Sequence, residues 1–142
     1  MNKKIFIASD HAGFKLKKYI INFYKNKINL IDLGTNTDLK SVDYPSYAHK
    51  LCLKVSKDKS SFGILVCGSG VGMSMAANKH KKIRAALCYS VKNAKLSRLH
   101  NDANVITLGE RLINKSLALK CLEVFFKTNF EGGRHYRRIK KI

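Results

Sequence analysis

The sequence predicts an α/β domain, a five-stranded parallel sheet with helices on both faces. Three observations predict it. Short apolar runs alternate with stretches whose apolar residues recur at helical spacing, the pattern of strands joined by helical crossovers. Ile64-Leu65-Val66 is an unbroken apolar run, as a parallel strand covered on both faces requires. That run leads directly into Gly68-Ser69-Gly70-Val71-Gly72, and Met73 to Asn78 then has helix-compatible composition. At 142 residues, the chain reads as one domain spanning 1–142, long enough for a real core.

Each element follows in order. Ile5-Phe6-Ile7-Ala8 is the first strand, ending at Ser9-Asp10-His11. Gly13 leads into a helix whose inner face is marked by Leu16, Ile20, Phe23 and Tyr24. Asn29 to Leu33 forms the second strand, closed by Gly34-Thr35. A polar loop runs to Asp43-Tyr44-Pro45, and Pro45 suits the first turn of a helix striped by Ala48, Leu51, Cys52 and Val55. The third strand and its glycine loop come next. Ile83 to Cys88 is the fourth strand. Ser90 caps a helix to about Leu99, and His100-Asn101-Asp102 forms a turn. Asn104 to Leu108 is the fifth strand. Asn114 starts a helix with Leu117, Cys121, Val124 and Phe125 inward. Glu131-Gly132-Gly133 breaks it, and Arg134 to Ile142 closes the chain as a basic helical segment.

Right-handed crossovers leave few strand orders. In the order 2-1-3-4-5 the chain reverses direction between strands one and three, and ligands bind at the carboxyl ends of strands at such a point. Asp10-His11 and Cys67 both end strands there, so they converge on one cleft. Backbone N–H groups of the glycine loop suit a negative charge. Cys67 sits at the lip, where a thiolate is favoured as base or nucleophile. Taken alone, the loop reads equally as an anion site or a tight strand–helix turn. Two familiar nucleotide loops are excluded. Met73 stands where the dinucleotide fingerprint needs its last glycine, no acidic residue occurs from Asn78 to Asn101, and no Gly-Lys-Ser/Thr ends the loop.

His100-Asn101-Asp102 reads as a helix end or as a site placed at the ligand-facing level. Arg111 follows the fifth strand. Arg134 and Arg138 lie four residues apart, on one helical face. They read either as a solvated tail or as a guanidinium pair for phosphate. The net charge of +19 favours anionic partners. The lysines are scattered and no nucleic-acid motif occurs, so a nucleic-acid-binding module is the weaker reading. Cys52, Cys67, Cys88 and Cys121 have no zinc-finger or C-x-x-C spacing. With no transmembrane-length run, the expectation is a cytoplasmic protein with reduced thiols and no membrane partner.

Six motifs together resemble one family. They are Ser9-Asp10-His11-Ala12-Gly13-Phe14, Asp43-Tyr44-Pro45, the Cys67 glycine loop with Ala76-Ala77-Asn78-Lys79, His100-Asn101-Asp102-Ala103-Asn104, and Phe130-Glu131-Gly132-Gly133-Arg134-His135, with order and spacing kept across almost the whole chain. The chain resembles type B ribose-5-phosphate isomerases, a family that includes the subunits of galactose-6-phosphate isomerase. The resemblance implies a Rossmann-like three-layer fold and interconversion of ribose 5-phosphate and ribulose 5-phosphate in the pentose phosphate pathway, without metal or cofactor. A six-carbon aldose phosphate is the alternative substrate. It implies a homodimer, sometimes a tetramer, with sites at the subunit interface. It implies Cys67 as base and His100 as ring-opening group. Asp10 and His11 would contact the sugar phosphate, Gly68, Ser69, Gly70, Val71 and Gly72 would form the anion hole, and Asn101, Arg111, Arg134 and Arg138 would complete the site. One branch of the family carries a Glu where this chain has Met73, which puts this chain in the cysteine branch.

Overall fold

In a computed structural model, which describes residues 2–142, five strands form one wholly parallel sheet. They are β1 (Lys4–Ser9), β2 (Asn29–Asp32), β3 (Phe62–Cys67), β4 (Ala85–Leu87) and β5 (Val105–Gly109). The helices are α1 (Phe14–Tyr24), α2 (Tyr44–Lys57), α3 (Val71–Ala77), α4 (Val91–Asn101), α5 (Lys115–Lys127) and α6 (Arg134–Ile139). Side chains alternate across the strands as the pleat requires. Ile5, Ile7, Ile64, Val66, Ile106 and Leu108 meet α1, α4 and α5 on one face. Phe6, Ala8, Leu65, Cys67 and Val105 meet α2 and α3 on the other. No helix among the described residues is long and apolar enough to cross a membrane.

The strand order is β2-β1-β3-β5-β4, so the last two strands are exchanged relative to the sequence expectation. Burial explains the exchange. Every residue of β5 is buried, whereas the three-residue β4 is only half-buried. The longer strand, with the bulkier Val105, Ile106 and Leu108, takes the inner place and the short one blunts the edge. The reversal point between β1 and β3 is unaffected.

Within the elements, Ala48, Leu51, Cys52 and Val55 are buried along α2, with Pro45 in its first turn. Ser90 caps α4 through a reciprocal pair with Asn93, its Oγ accepting from the Asn93 N–H. Asn114 Oδ1 accepts from the Leu117 N–H at the start of α5. In α1, Phe23 faces outward at 41% exposure, and Lys17 lies fully buried beside Leu16 and Ile20. Lys17 can go inside because its Nζ donates to Asp32 Oδ1 at 2.6 Å and to the Thr35 carbonyl at 2.7 Å. In α5 the inward set is Ala118, Cys121, Leu122 and Phe125, with Leu117 and Val124 partly buried. The fourth strand is shorter than expected, and α4 runs on through His100 and Asn101 to a left-handed Asp102.

Candidate active site

β3 ends at Cys67, and α3 starts three residues after the turn begins. Gly70 makes this possible. Its φ of +76° lies in the left-handed region, and a Cβ there would stand 2.5 Å from Leu87 Cδ1 and 2.9 Å from the Leu108 carbonyl carbon. The loop is fastened from β5. Thr107 Oγ1 donates to the Gly70 carbonyl at 3.0 Å in the interior. The Glu110 N–H donates to the Cys67 carbonyl at 2.9 Å, and the Arg111 N–H to the Gly68 carbonyl at 3.0 Å.

The Cys67 thiol is 4% exposed, and its Sγ accepts the Gly70 N–H at 3.1 Å. An N–H aimed at sulfur stabilises developing negative charge there. Beside it opens a cleft of about 420 Å³ with Asp10, His11, Gly68, Ser69, Val71, Gly72 and Arg111 on its walls. Asp10 is buried, and its Oδ1 accepts the Gly13 N–H at 3.0 Å. His11 Nδ1 accepts the Val42 N–H at 3.1 Å, which leaves Nε2 to carry the proton in the neutral ring. The Arg111 side chain lies against Gly68, whose missing Cβ would sit 2.7 Å from Nη1. Cys67 therefore shares one cleft with two polar side chains, a guanidinium and a backbone N–H donor. Gly70 sits behind this cleft as the turn residue and does not line it.

Three lining residues had no site role in the sequence reading: Ala12, Tyr44 and Met75. Tyr44 had a signal, because it belongs to Asp43-Tyr44-Pro45, and its ring packs on Gly72, where a Cβ would meet Cζ at 2.5 Å. Met75 and Val71 lie on α3 at 68% and 38% exposure, so the cleft has an apolar rim.

The expected ligand-facing position of His100 and Asn101 does not hold within one chain. Crossover helices run antiparallel to the strands, so the end of α4 lies at the amino edge of the sheet. Arg84, just ahead of β4, donates from Nε to the Asn101 and Asp102 carbonyls at 3.0 Å each. The Gly63 N–H at the start of β3 donates to the Asn104 carbonyl at 2.9 Å. Cys67 lies four residues further along β3, about 13 Å at strand rise. Arg134 and Arg138, both exposed on α6, lie with His100 of α4 around His135.

This second group has its own geometry. The His100 and His135 rings stack at 4.2 Å between centroids and 14° between planes. Glu131 lies 3.9 Å from the Nε2 of each. His135 is buried, and its Nε2 has no hydrogen-bond partner. Burial holds the His135 imidazole below its ordinary pKa, and His100, Arg134 and Arg138 push the same way against Glu131. Cys52 and Cys88 are pushed up to about 12 by burial, and Cys121 is raised by the same cause.

Comparison with known proteins matches this arrangement to a family. A family model described as ribose/galactose isomerase matches residues 5–142. The chain is 49% identical over 144 residues to a probable ribose-5-phosphate isomerase B of Mycoplasma genitalium, covering 100% of this chain and 95% of the relative. It is 41% identical over 141 residues to ribose-5-phosphate isomerase B of Escherichia coli, covering 99% and 94%. A crystal structure of ribose 5-phosphate isomerase B from Thermotoga maritima superposes with a TM-score of 0.96 at 48% identity, covering 99% of this chain and 97% of that one. The Mycoplasma genitalium enzyme with bound ribulose 5-phosphate gives 0.95 at 49% identity, covering 99% and 94%. With its sheet, its cysteine cleft and its full-length likeness to these proteins, the chain belongs to the ribose/galactose isomerase family and is a sugar-phosphate isomerase.

Proposed function

We propose that the protein interconverts ribose 5-phosphate and ribulose 5-phosphate within the pentose phosphate pathway, using Cys67 as the base. The observation that carries this reading is the Gly70 N–H on Cys67 Sγ, at a cleft that also holds Asp10, His11 and Arg111. Its substrate is the ligand in the related Mycoplasma genitalium structure.

The reaction moves one proton between adjacent carbons and has no net redox change, so an acid and a base suffice. The Cys67 thiolate takes the proton from C2 of the open-chain aldose and returns it at C1, while the hydroxyl proton on O2 passes to O1, so that the C1 carbonyl becomes a hydroxyl and the C2 hydroxyl a carbonyl. Between those steps the substrate is an enediolate. N–H groups of Ser69, Val71 and Gly72 stabilise its oxygen, and each such donor is typically worth about 3 kcal/mol in a preorganised site. The furanose must first open. Its C1–O4 bond breaks as O4 gains a proton and the C1 hydroxyl loses one. His100 performs that shuttle, one ring nitrogen giving a proton as the other takes one.

His100, Asn101, Arg134 and Arg138 come from a second copy of the chain in a homodimer. The half-exposed apolar rim of Val71 and Met75 supports association at the Cys67 cleft. Arg134 and Arg138, with Arg111 from the first copy, bind the phosphate, each charge-assisted contact contributing about 1.5–3 kcal/mol.

A turnover assay across five- and six-carbon aldose phosphates, run with a chelator present, tests the reading. Ribose 5-phosphate should turn over fastest, and Cys67→Ala should leave less than a few per cent of that activity while the fold is kept. A preference for galactose 6-phosphate would reassign the substrate, and an active Cys67→Ala would move the base elsewhere.

A further inference from the structure

Outside the cysteine cleft, the cluster of His100, Glu131 and His135 is the best-formed group of metal-ligating side chains among the described residues. One ligand atom from each lies within 4.8 Å of the others. Both imidazole Nε2 atoms face the same carboxylate at 3.9 Å, one per oxygen. That distance is too long for a hydrogen bond. The second observation is independent of this spacing. His135 Nε2 is buried and has no partner, and a buried polar atom left unpaired is destabilising.

We propose that His100, Glu131 and His135 form an inhibitory site for a divalent first-row metal ion of tetrahedral preference, zinc in the first instance. Two imidazoles and one carboxylate leave a fourth position open to water, a donor set zinc accepts. Bonds of about 2.0–2.1 Å place tetrahedral ligand atoms roughly 3.4 Å apart. The three ligand atoms, within 4.8 Å of one another, must therefore close by up to roughly 1.4 Å, a movement that the 55% exposed Glu131 side chain can share. The stacked rings must also open like a fan, so that both lone pairs converge. Binding gives the orphaned His135 nitrogen its partner. Arg134 and Arg138 repel the cation and hold its affinity below that of an acidic site. The inhibitory part rests on the reading of His100 as the ring-opening group. A metal on its Nε2 would occupy the lone pair that moves the proton.

The test is calorimetric titration of the full-length protein with zinc chloride in a non-chelating buffer, paired with turnover of ribose 5-phosphate. One zinc per chain is expected. Affinity should fall at least tenfold in Glu131→Gln and in His135→Asn. The exposed Glu131 keeps the test decisive if the His135 variant unfolds. Cobalt(II) in the same site should give the visible absorption of tetrahedral coordination. Cys67→Ala, and His80→Asn in the separate His49–His80 pair whose ring nitrogens lie 2.8 Å apart, should bind zinc as the wild type does. Turnover should fall with occupancy and return on adding a chelator. No zinc uptake would overturn the site, as would uptake lost in Cys67→Ala or His80→Asn but kept in Glu131→Gln. Binding of the expected pattern with untouched turnover would overturn the inhibitory role. Absence of turnover in zinc-free protein would instead sink the reading of the activity, with calorimetry still deciding the site.

Discussion

Cys67 differs from the other three cysteines in what surrounds its sulfur. Cys52 and Cys88 are pushed up to about 12 by burial and Cys121 is raised in the same way, so all three stay as thiols at neutral pH. Only a thiolate attacks an alkylating agent. Iodoacetamide at pH 7.5 should therefore modify one residue per native chain, identified by peptide mapping as Cys67, and substrate should slow it. Modification spread over several cysteines would contradict this. Lys17 is the second residue whose surroundings decide its behaviour. Its burial pushes its pKa down from 10.5 even though Asp32 pulls it up. Lys17→Met removes the Lys17 donor from the Thr35 carbonyl and leaves the one-third exposed Asp32 carboxylate with the Gly34 N–H. It should cost about 1–3 kcal/mol in denaturant melts. The pH dependence has a definite sign. Below 10.5 but above the folded-state pKa, the unfolded chain holds a proton that the folded chain has lost, so stability rises with pH in that window. Wild type should gain on Lys17→Met as pH approaches 10.5, and a constant gap would contradict the burial account.

At the scale of elements, the glycine loop is where local geometry and chemistry meet. Gly70→Ala must hold a left-handed φ and push a Cβ against Leu87 and the Leu108 carbonyl carbon. It should cost about 1–3 kcal/mol in stability. It should also lower turnover by roughly a hundredfold, because the N–H on Cys67 Sγ moves with it. Stability and activity both near wild type would show that the loop tolerates the strain. This loop was legible in the sequence because glycine spacing after an apolar run has few other uses. The α2 stripe and the caps at Ser90 and Asn114 were legible for the same local reasons. Other features were not. The Lys17–Asp32 pair joins α1 to β2, and a lysine counts as polar until its partner is known. The exchange of β4 and β5 depends on which strand the finished sheet buries, which no local pattern states. His100 was set on the wrong level because a crossover helix runs antiparallel to the strands, which puts the residues between α4 and β5 at the amino edge of the sheet wherever the helix ends.

At the scale of the whole molecule, a single chain holds the family's motifs in two separate groups. Asp10, His11, Cys67 and Arg111 share the cleft at the carboxyl ends of the strands. His100 and the α6 arginines stand apart from it, with His100 stacked on His135. The sequence reveals the short contiguous motifs from which each group is drawn, but spacing along a chain does not say whether two motifs meet in one copy or between two. On the proposed reading, a symmetric dimer would resolve the separation, because each twofold pair of contacts would build two identical composite sites. The central claim is that composite site, and subunit mixing tests it most directly. Cys67→Ala and His100→Asn are each inactive on their own in this account. Co-refolding them in equal amounts makes half the dimers mixed, and each mixed dimer contains one site with both Cys67 and His100 intact. Specific activity with ribose 5-phosphate should then recover to about a quarter of wild type. Recovery should follow the appearance of mixed dimers and not the total protein. If the mixture stays as inactive as its parts while mixed dimers are present, Cys67 and His100 do not act across a subunit boundary, and the composite site is wrong.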